Sequence, residues 1–346
     1  MENLKVHTAE FTRIIDYELY RKIRDFLFNG TERCYTKGNK VKYEGFASRG
    51  IRLELMRYTT KEFPNSLQFK IKYIFTPSRF INSNDYLGLT DITDLSEIAY
   101  KIGAFLFSKC ELLPHPLDCG ITRIDLTKDL YVGNNTDYLI TLLNRSYIPY
   151  KWERIYKKYK GQATLTKKNI DGKKIFEFSA YDKFKEMLHH VEKHGYCYPD
   201  EVLERAKGIL RLEFRIYNLR LKNMKKKYHY QTAEDFFKVF QRHATDIVFD
   251  TMKKLYLVGT FYKLNTISDM IEFSYYQQRT KRKMQDFIQL VAEHKSVQTA
   301  ACVFEDKYNE KTLKDVLKKF NAIGIIPNPI SRRSLIEEWS FFEPEE

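Results

Sequence analysis

Three segments of the sequence alternate apolar and polar side chains, and their polar positions carry residue types that can do chemistry. The segments are ITRIDLTKDL, KKIFEFSAYDK and ILRLEFRIYN. Because side chains alternate across a strand with a period of two, each segment predicts a strand with one buried face and one polar face. The polar positions, in chain order, are Arg123, Asp125, Thr127, Asp129, Glu177, Ser179, Tyr181, Lys183, Arg211, Glu213, Arg215 and Tyr217.

If the three strands share a sheet, their common polar face combines carboxylates, arginines, a lysine and tyrosines. Carboxylate oxygens are suitable ligands for hard divalent cations such as Mg²⁺ or Mn²⁺. A phenol is a weak nucleophile by itself, and neighbouring cations favour its reactive phenolate form. A solvated sheet face with cross-strand ion pairs would show the same alternation, so the pattern alone leaves both interpretations open.

The three segments, in this order and spacing, resemble the motifs of rolling-circle replication initiators. These are the filamentous-phage nickases of the gene-two and gene-X type and the plasmid initiators related to them. The shared pattern is R-x-D-x-x-x-D, then R-x-Y-[ND]-K, then a hydrophobic strand with R-x-E. The resemblance covers residues 65–220, and one departure is Ser179, which stands where many relatives have Arg.

The resemblance implies roles for individual residues of this chain. Tyr181 would be the nucleophile with Lys183 beside it, and Tyr217 ranks second as a nucleophile. The metal-binding acids would be Asp125 and Glu213, with Asp129 as a further contributor. The chain has no His-x-His pair, so a metal would depend mainly on carboxylates. The arginines available to contact DNA phosphates are Arg123, Arg211 and Arg215.

The activity implied by this resemblance is site-specific nicking and rejoining of one DNA strand. The tyrosine would stay linked to the 5′ phosphate, and Mg²⁺ or Mn²⁺ would be the cofactor. DNA would be the partner, as a single-stranded or supercoiled replication origin, with the host replication helicase and polymerase as further partners. Two alternatives stay open: a non-catalytic DNA-binding regulator of the same fold, and a metal-dependent nuclease that uses water.

Composition agrees with a polyanionic partner. The formal net charge is +14 with a pI near 9.3, which favours nucleic acid first and an anionic membrane surface second. Most of the excess lies in residues 1–220. The segment KWERIYKKYKG interleaves aromatic residues with Lys157, Lys158 and Lys160, which suits single-stranded DNA, and an amphipathic surface segment fits it equally well.

Cysteines and hydropathy bear on the compartment. Five scattered cysteines without a CxxC pair indicate reduced thiols rather than a disulfide framework. The sequence contains no apolar stretch long enough to span a membrane, and its beginning has no signal-like apolar core. We therefore expect a cytoplasmic protein of a bacterial host, with no membrane partner.

The distribution of strand-like and helix-like patterns predicts an α+β fold. Residues 1–225 are expected to form a catalytic domain, an antiparallel sheet with helices on one face, as in nicking endonucleases. Residues 226–346 are expected to form a helical domain, with ILRLEFRIYN as the last strand. A helix capped by Asp94 and a hairpin turn at residues 169–172 are further expectations.

Overall fold

A ten-stranded antiparallel sheet is the centre of the fold. The computed structural model describes residues 4–30, 34–59, 65–155 and 161–341. The strands of the large sheet are β1 (Lys5–Ile15), β2 (Cys34–Lys37), β3 (Lys40–Tyr43), β4 (Ile51–Tyr58), β5 (Gln68–Phe75), β6 (Gly120–Tyr131), β7 (Trp152–Arg154), β8 (Gln162–Lys168), β9 (Lys174–Asp182) and β10 (Ile209–Tyr217). Their order across the sheet is β2-β3-β4-β5-β1-β6-β10-β9-β8-β7. The predicted α+β class with a large antiparallel sheet is confirmed.

The helices that follow these strands form most of the remaining structure. They are α1 (Tyr17–Gly30), α2 (Pro77–Ile81), α3 (Leu95–Lys109), α4 (Thr136–Asn144), α5 (Lys183–His194), α6 (Asp200–Ala206), α7 (Asn218–Tyr228), α8 (Ala233–Lys254), α9 (Leu264–Glu272), α10 (Gln278–His294), α11 (Val297–Tyr308) and α12 (Glu310–Ala322). Helices α1, α3, α4, α7 and α8 contribute to one hydrophobic core with the apolar side chains of the sheet. The apolar positions predicted on β10, such as Leu212 and Phe214, are fully buried in it.

The C-terminal part is helical, as the sequence predicts. Helices α9 to α12 surround a second core that includes Phe287, Phe304 and Phe320. Two short strands, β11 (Thr260–Tyr262) and β12 (Glu338–Ser340), pair with each other here, so β10 is not the last strand. Helix α8 packs against the sheet and belongs to its hydrophobic core. The division of the chain at residue 225 stays a prediction.

The order of the strands divides the sheet into two halves of equal topology. In the first half the order runs from the edge as β2-β3-β4-β5-β1, and in the second half, from the opposite edge, as β7-β8-β9-β10-β6. Each half starts with its long central strand, continues through a helix (α1 or α4), and returns to pair its last strand with its first. The two central strands, β1 and β6, are antiparallel neighbours, as a two-fold axis between them requires.

The pairing of β1 with β6 contains two bulges at matching positions. His7 is the extra residue between the pairs Val6–Leu126 and Thr8–Asp125. Thr122 is the extra residue of β6 between the pairs formed by Arg123 and by Ile121. A bulge places two consecutive side chains opposite one residue of the partner strand, so both can lie on the same face of the sheet. This local irregularity brings His7 to the polar face.

Three local expectations have different outcomes. The hairpin at residues 169–172 is confirmed, with Gly172 at a φ of 74°. The cap at Asp94 is wrong, because a short 3₁₀ turn precedes α3 and Asp94 makes no side-chain capping hydrogen bond. Lys183 does not continue strand β9: Asp182 ends the strand, and its carboxylate caps α5 by accepting a hydrogen bond from the backbone N–H of Lys185 at 3.0 Å.

Candidate active site

The polar face of the sheet borders a cleft of about 1310 Å³. Strands β1, β6, β9 and β10 form part of its lining, helix α5 forms one side, and the segment around α2 forms another. The predicted residues that line it are Arg123, Asp125, Tyr181, Lys183, Glu213 and Arg215. The predicted chemical face therefore forms, and most of its members border one cavity.

Three side chains in this cleft form a group able to hold a metal ion. His7, Asp125 and Glu213 each offer one ligand atom, and these atoms all lie within 4.8 Å of one another. It is the one group of three or more such ligands within the described ranges 4–30, 34–59, 65–155 and 161–341. Asp125 and Glu213 are buried, with 0% and 3% of their surfaces exposed. Two of the three ligands are those that the sequence predicts.

Burial and mutual repulsion shift the pKa values within this group. Burial raises the pKa of Asp125 to about 7, and the negative charge of Glu213 adds to this. Burial lowers the pKa of His7 to about 4, so its imidazole is neutral at pH 7 and has a lone pair for a cation. Burial also opposes the charge of Glu213, but the positive groups around it, Arg215 foremost and Arg123 among them, together hold the pKa of that carboxyl below its ordinary range.

Two arginines neutralise the buried acids. The Nε of Arg123 donates to Asp125 at 2.7 Å, and its Nη2 pairs with the other carboxylate oxygen. The Nε of Arg215 donates to Glu213 at 2.7 Å and lies 3.7 Å from Asp125. The Nη1 of Arg215 donates to Glu177 at 2.7 Å, and Glu177 is itself fully buried. Such paired and hydrogen-bonded charges are the form in which carboxylates can be buried at low cost.

We refer to His7, Asp125 and Glu213 as the acid group. Tyr181 lies beside the acid group, and its hydroxyl is directed at it. The hydroxyl donates to Oε2 of Glu213 at 3.2 Å, and only 7% of the residue is exposed. Burial and the charge of Glu213 raise the pKa of the phenol well above its usual value, so Tyr181 is neutral at pH 7. Lys183, on the first turn of α5, is equally buried and donates to Glu186 at 2.8 Å. Burial and the nearby Arg211 lower its pKa.

Asp129 does not join the acid group. Its two carboxylate oxygens accept from Nε and Nη2 of Arg211, both at 2.7 Å, in a bidentate pair. The two residues face each other directly on β6 and β10. Asp129 stands four residues from Asp125 on its strand, which is about 13 Å at a rise of about 3.3 Å per residue. Arg211 has no exposed surface. Its predicted contact with a DNA phosphate stays a prediction.

The remaining predicted residues lie elsewhere. Tyr217 is half-buried at the end of β10, and burial, together with the charge of Glu177, raises its pKa to about 12. It does not line the cleft. Lys157, Lys158 and Lys160 lie outside the described residues, so the predicted contact of KWERIYKKYKG with single-stranded DNA is not addressed by the structure.

His7 is the site residue that sequence reasoning misses. It precedes the three motifs by more than a hundred residues and is a single histidine in the segment KVHTAEF. Strict alternation would put Val6 and Thr8 on one face of the strand and His7 on the other, and it gives no sign of the bulge. The signal could have come only from the pairing of β1 with β6, which sequence periodicity does not encode.

The donor set fits a divalent cation. One neutral imidazole nitrogen and two carboxylate oxygens suit first-row ions such as Mn²⁺ better than Mg²⁺, which prefers oxygen ligands alone.

In the described parts of the chain no helix is both long enough and apolar enough to cross a bilayer. Comparison with protein-family models finds no match to this chain, and comparison with curated proteins finds none either.

Proposed function

We propose that this chain is a DNA-nicking enzyme of the rolling-circle initiator type, with Tyr181 as the nucleophile. One observation carries the proposal: the hydroxyl of Tyr181 donates to Glu213, a member of the group that also contains His7 and Asp125. A phenol beside a potential metal group, in a cleft of a strongly basic protein, is suited to attack on a phosphodiester. The likeness of the sequence motifs to those nickases supports the same assignment.

The proposed reaction exchanges one phosphate ester for another. The Tyr181 oxygen bonds to phosphorus, and the bond from phosphorus to the 3′ oxygen breaks, leaving a 5′-phosphotyrosine and a free 3′ hydroxyl. Oε2 of Glu213 accepts a hydrogen bond from the phenol, whose oxygen lies 3.2 Å away, and is the acceptor for the phenol proton. Lys183, whose pKa is lowered by burial, is suited to donate a proton to the leaving 3′ oxygen. Rejoining is the reverse exchange, because the ester energy is kept in the phosphotyrosine.

His7, Asp125 and Glu213 are the residues that would hold the cation. When bound, a divalent cation there supplies electrophilic polarisation of a phosphate oxygen and lowers the pKa of a neighbouring phenol. The protein's own contribution is to hold Asp125 and Glu213 in place: Arg123 and Arg215 fix their carboxylates through hydrogen bonds of 2.7 Å. Glu177 in turn orients Arg215 from the neighbouring strand β9.

One observation favours a second candidate, a non-catalytic DNA-binding regulator. Arg123 and Arg215 already pair with the acids, so the group is stable as an ion-pair network without a cation. A denaturing gel separates the candidates, using labelled supercoiled or single-stranded origin DNA with and without Mn²⁺. A covalent protein–DNA adduct that requires Tyr181 supports the proposal. Nicks without an adduct indicate water as the nucleophile. Intact DNA on the denaturing gel, together with a shifted band for the same DNA on a native gel, indicates the regulator.

A further inference from the structure

Three tyrosines contact one another where the segment after α2 meets the segment after α5. The ring centroids of Tyr86 and Tyr198 are 5.0 Å apart at 89°, and those of Tyr196 and Tyr198 are 6.1 Å apart at 19°. All three line the cleft that contains Tyr181, and 48% of Tyr196 is exposed. We refer to Tyr86, Tyr196 and Tyr198 as the aromatic wall. The proposed reaction makes no use of these rings.

A chain of contacts along α5 connects the aromatic wall with the candidate catalytic residues. Lys183 donates to Glu186 at 2.8 Å, and Glu186 lies 3.5 Å from the imidazole of His190 one turn later. The other ring nitrogen of His190 lies 3.4 Å from the hydroxyl of Tyr198. The aromatic wall therefore borders the same cleft as Tyr181 and is connected through α5 to Lys183, two residues after Tyr181 in the chain.

Polar atoms beside the aromatic wall have the character of an anion site. The guanidinium of Arg79 lies 5.1 Å from the ring centre of Tyr86. Arg79 Nε and Ser78 Oγ are buried, and neither has a hydrogen-bond partner among the residues that the structure describes. Ser78 is only 6% exposed, yet both residues line the cleft. Buried donors without partners cost free energy, and the oxygens of a phosphate are acceptors that would satisfy them.

We infer that this part of the cleft is a binding subsite for one unpaired nucleotide of a DNA strand. Its residues are Ser78, Arg79, Tyr86, Tyr196 and Tyr198. The phosphate of the nucleotide lies against Ser78 and Arg79, and its base stacks on the aromatic wall. Stacking on a tyrosine needs a base with a free face, which a base inside a duplex does not offer, so the subsite selects unpaired DNA.

This inference rests on the proposed function, and binding experiments test it without cleavage. The probe is a fluorescein-labelled twelve-nucleotide oligothymidylate, compared with its abasic counterpart and a twelve-base-pair duplex, and the readout is anisotropy. All variants carry Tyr181→Phe so that no adduct forms. Tyr196→Ala and Tyr198→Ala are each expected to weaken oligothymidylate binding about tenfold, because stacking on one aromatic ring contributes about 1–3 kcal/mol. Binding of the abasic probe is expected to stay unchanged.

Tyr196→Phe and Tyr198→Phe keep the rings and are expected to bind as tightly as the parent. Tyr275→Ala removes a tyrosine that is 80% exposed outside the cleft and is the matched control. The inference is overturned if the abasic probe binds the parent as tightly as oligothymidylate, or if the two alanine variants bind both probes unchanged. Competition by free thymidine monophosphate at equal concentration would instead indicate a site for free nucleotides. If the protein with Tyr181 intact forms no adduct while the Tyr181→Phe parent shows the expected stacking, only the proposed nicking activity is rejected.

Discussion

Tyr181 and Glu213 are diagonal neighbours on strands β9 and β10, and the hydroxyl of the first donates to the carboxylate of the second at 3.2 Å. Arg211 lies directly opposite Tyr181, and Ser179 lies directly opposite Glu213. Diagonal positions of an antiparallel pair remain within reach of long side chains. This relationship joins the predicted nucleophile to a predicted metal ligand.

Tyr181→Phe is expected to abolish the covalent DNA adduct while leaving the fold and the acid group intact. The substitution removes only the hydroxyl, so the free energy of unfolding should fall by about 1 kcal/mol, the usual contribution of one hydrogen bond. Denaturing electrophoresis measures the adduct, and urea unfolding measures the stability. Tyr217→Phe is the control and should keep the adduct. An adduct that persists in Tyr181→Phe and disappears in Tyr217→Phe would move the nucleophile to β10.

His7→Ala is expected to weaken Mn²⁺ binding by at least about tenfold. Loss of a ligand should cost no less than loss of a supporting group, which lowers metal affinity about 10- to 100-fold. Mn²⁺ at a hundred times its Kd should add about 2.7 kcal/mol to the stability of the parent, seen as a rise in Tm, and much less to the variant. Electron paramagnetic resonance of free Mn²⁺ gives the affinities directly.

The exposed His294, at the end of α10, provides the matched control for that experiment. His294→Ala should bind Mn²⁺ as the parent does. Equal affinity in the parent and in His7→Ala would show that His7 is not a ligand. No binding at all by the parent would leave the acid group as an ion-pair network and favour the regulator.

Asp129→Asn is expected to destabilise the protein without weakening Mn²⁺ binding. The substitution leaves the guanidinium of Arg211, which has no exposed surface, without its charged partner. Removing one member of a buried ion pair costs about 3–5 kcal/mol, and the partial exposure of Asp129 places the expected loss near the lower value. Urea unfolding and Mn²⁺ titration are measured on the same samples. Asp125→Asn should, by contrast, weaken Mn²⁺ binding strongly.

The polar faces of β6, β9 and β10 could be predicted because packing of one face against the hydrophobic core imposes a period of two on the sequence. The hydrogen-bond and ion-pair partners of individual residues could not be predicted. The sequence motifs assign Asp129 and Arg211 different roles, but the two residues neutralise each other because the register of β6 against β10 places them opposite. Lys183 follows the strand period, yet Asp182 is a helix-capping residue and turns the chain into α5. His7 depends on a bulge between strands that lie far apart in sequence.

The two halves of the sheet also differ in a way that only the pairing reveals. The two-fold axis between β1 and β6 relates Ala9 to Ile124. The same operation relates Glu10 to Asp125, Thr122 to His7 and Lys72 to Glu213. The contacts agree: Thr122 Oγ1 donates to Glu10 at 2.8 Å, and Lys72 Nζ lies 3.0 Å from the same oxygen. In the first half a lysine ammonium therefore pairs with Glu10, the acid that corresponds to Asp125.

This correspondence predicts that the double variant Lys72→Glu with Thr122→His gains a second Mn²⁺ site. The two substitutions restore, around Glu10, the donor set of one imidazole and two carboxylates. Titration followed by electron paramagnetic resonance should show two tightly held ions per chain in place of one. Lys72→Glu alone is the control and should stay at one, because it supplies no imidazole. If the double variant keeps a native circular dichroism spectrum and still holds a single ion, the two halves do not place these residues equivalently.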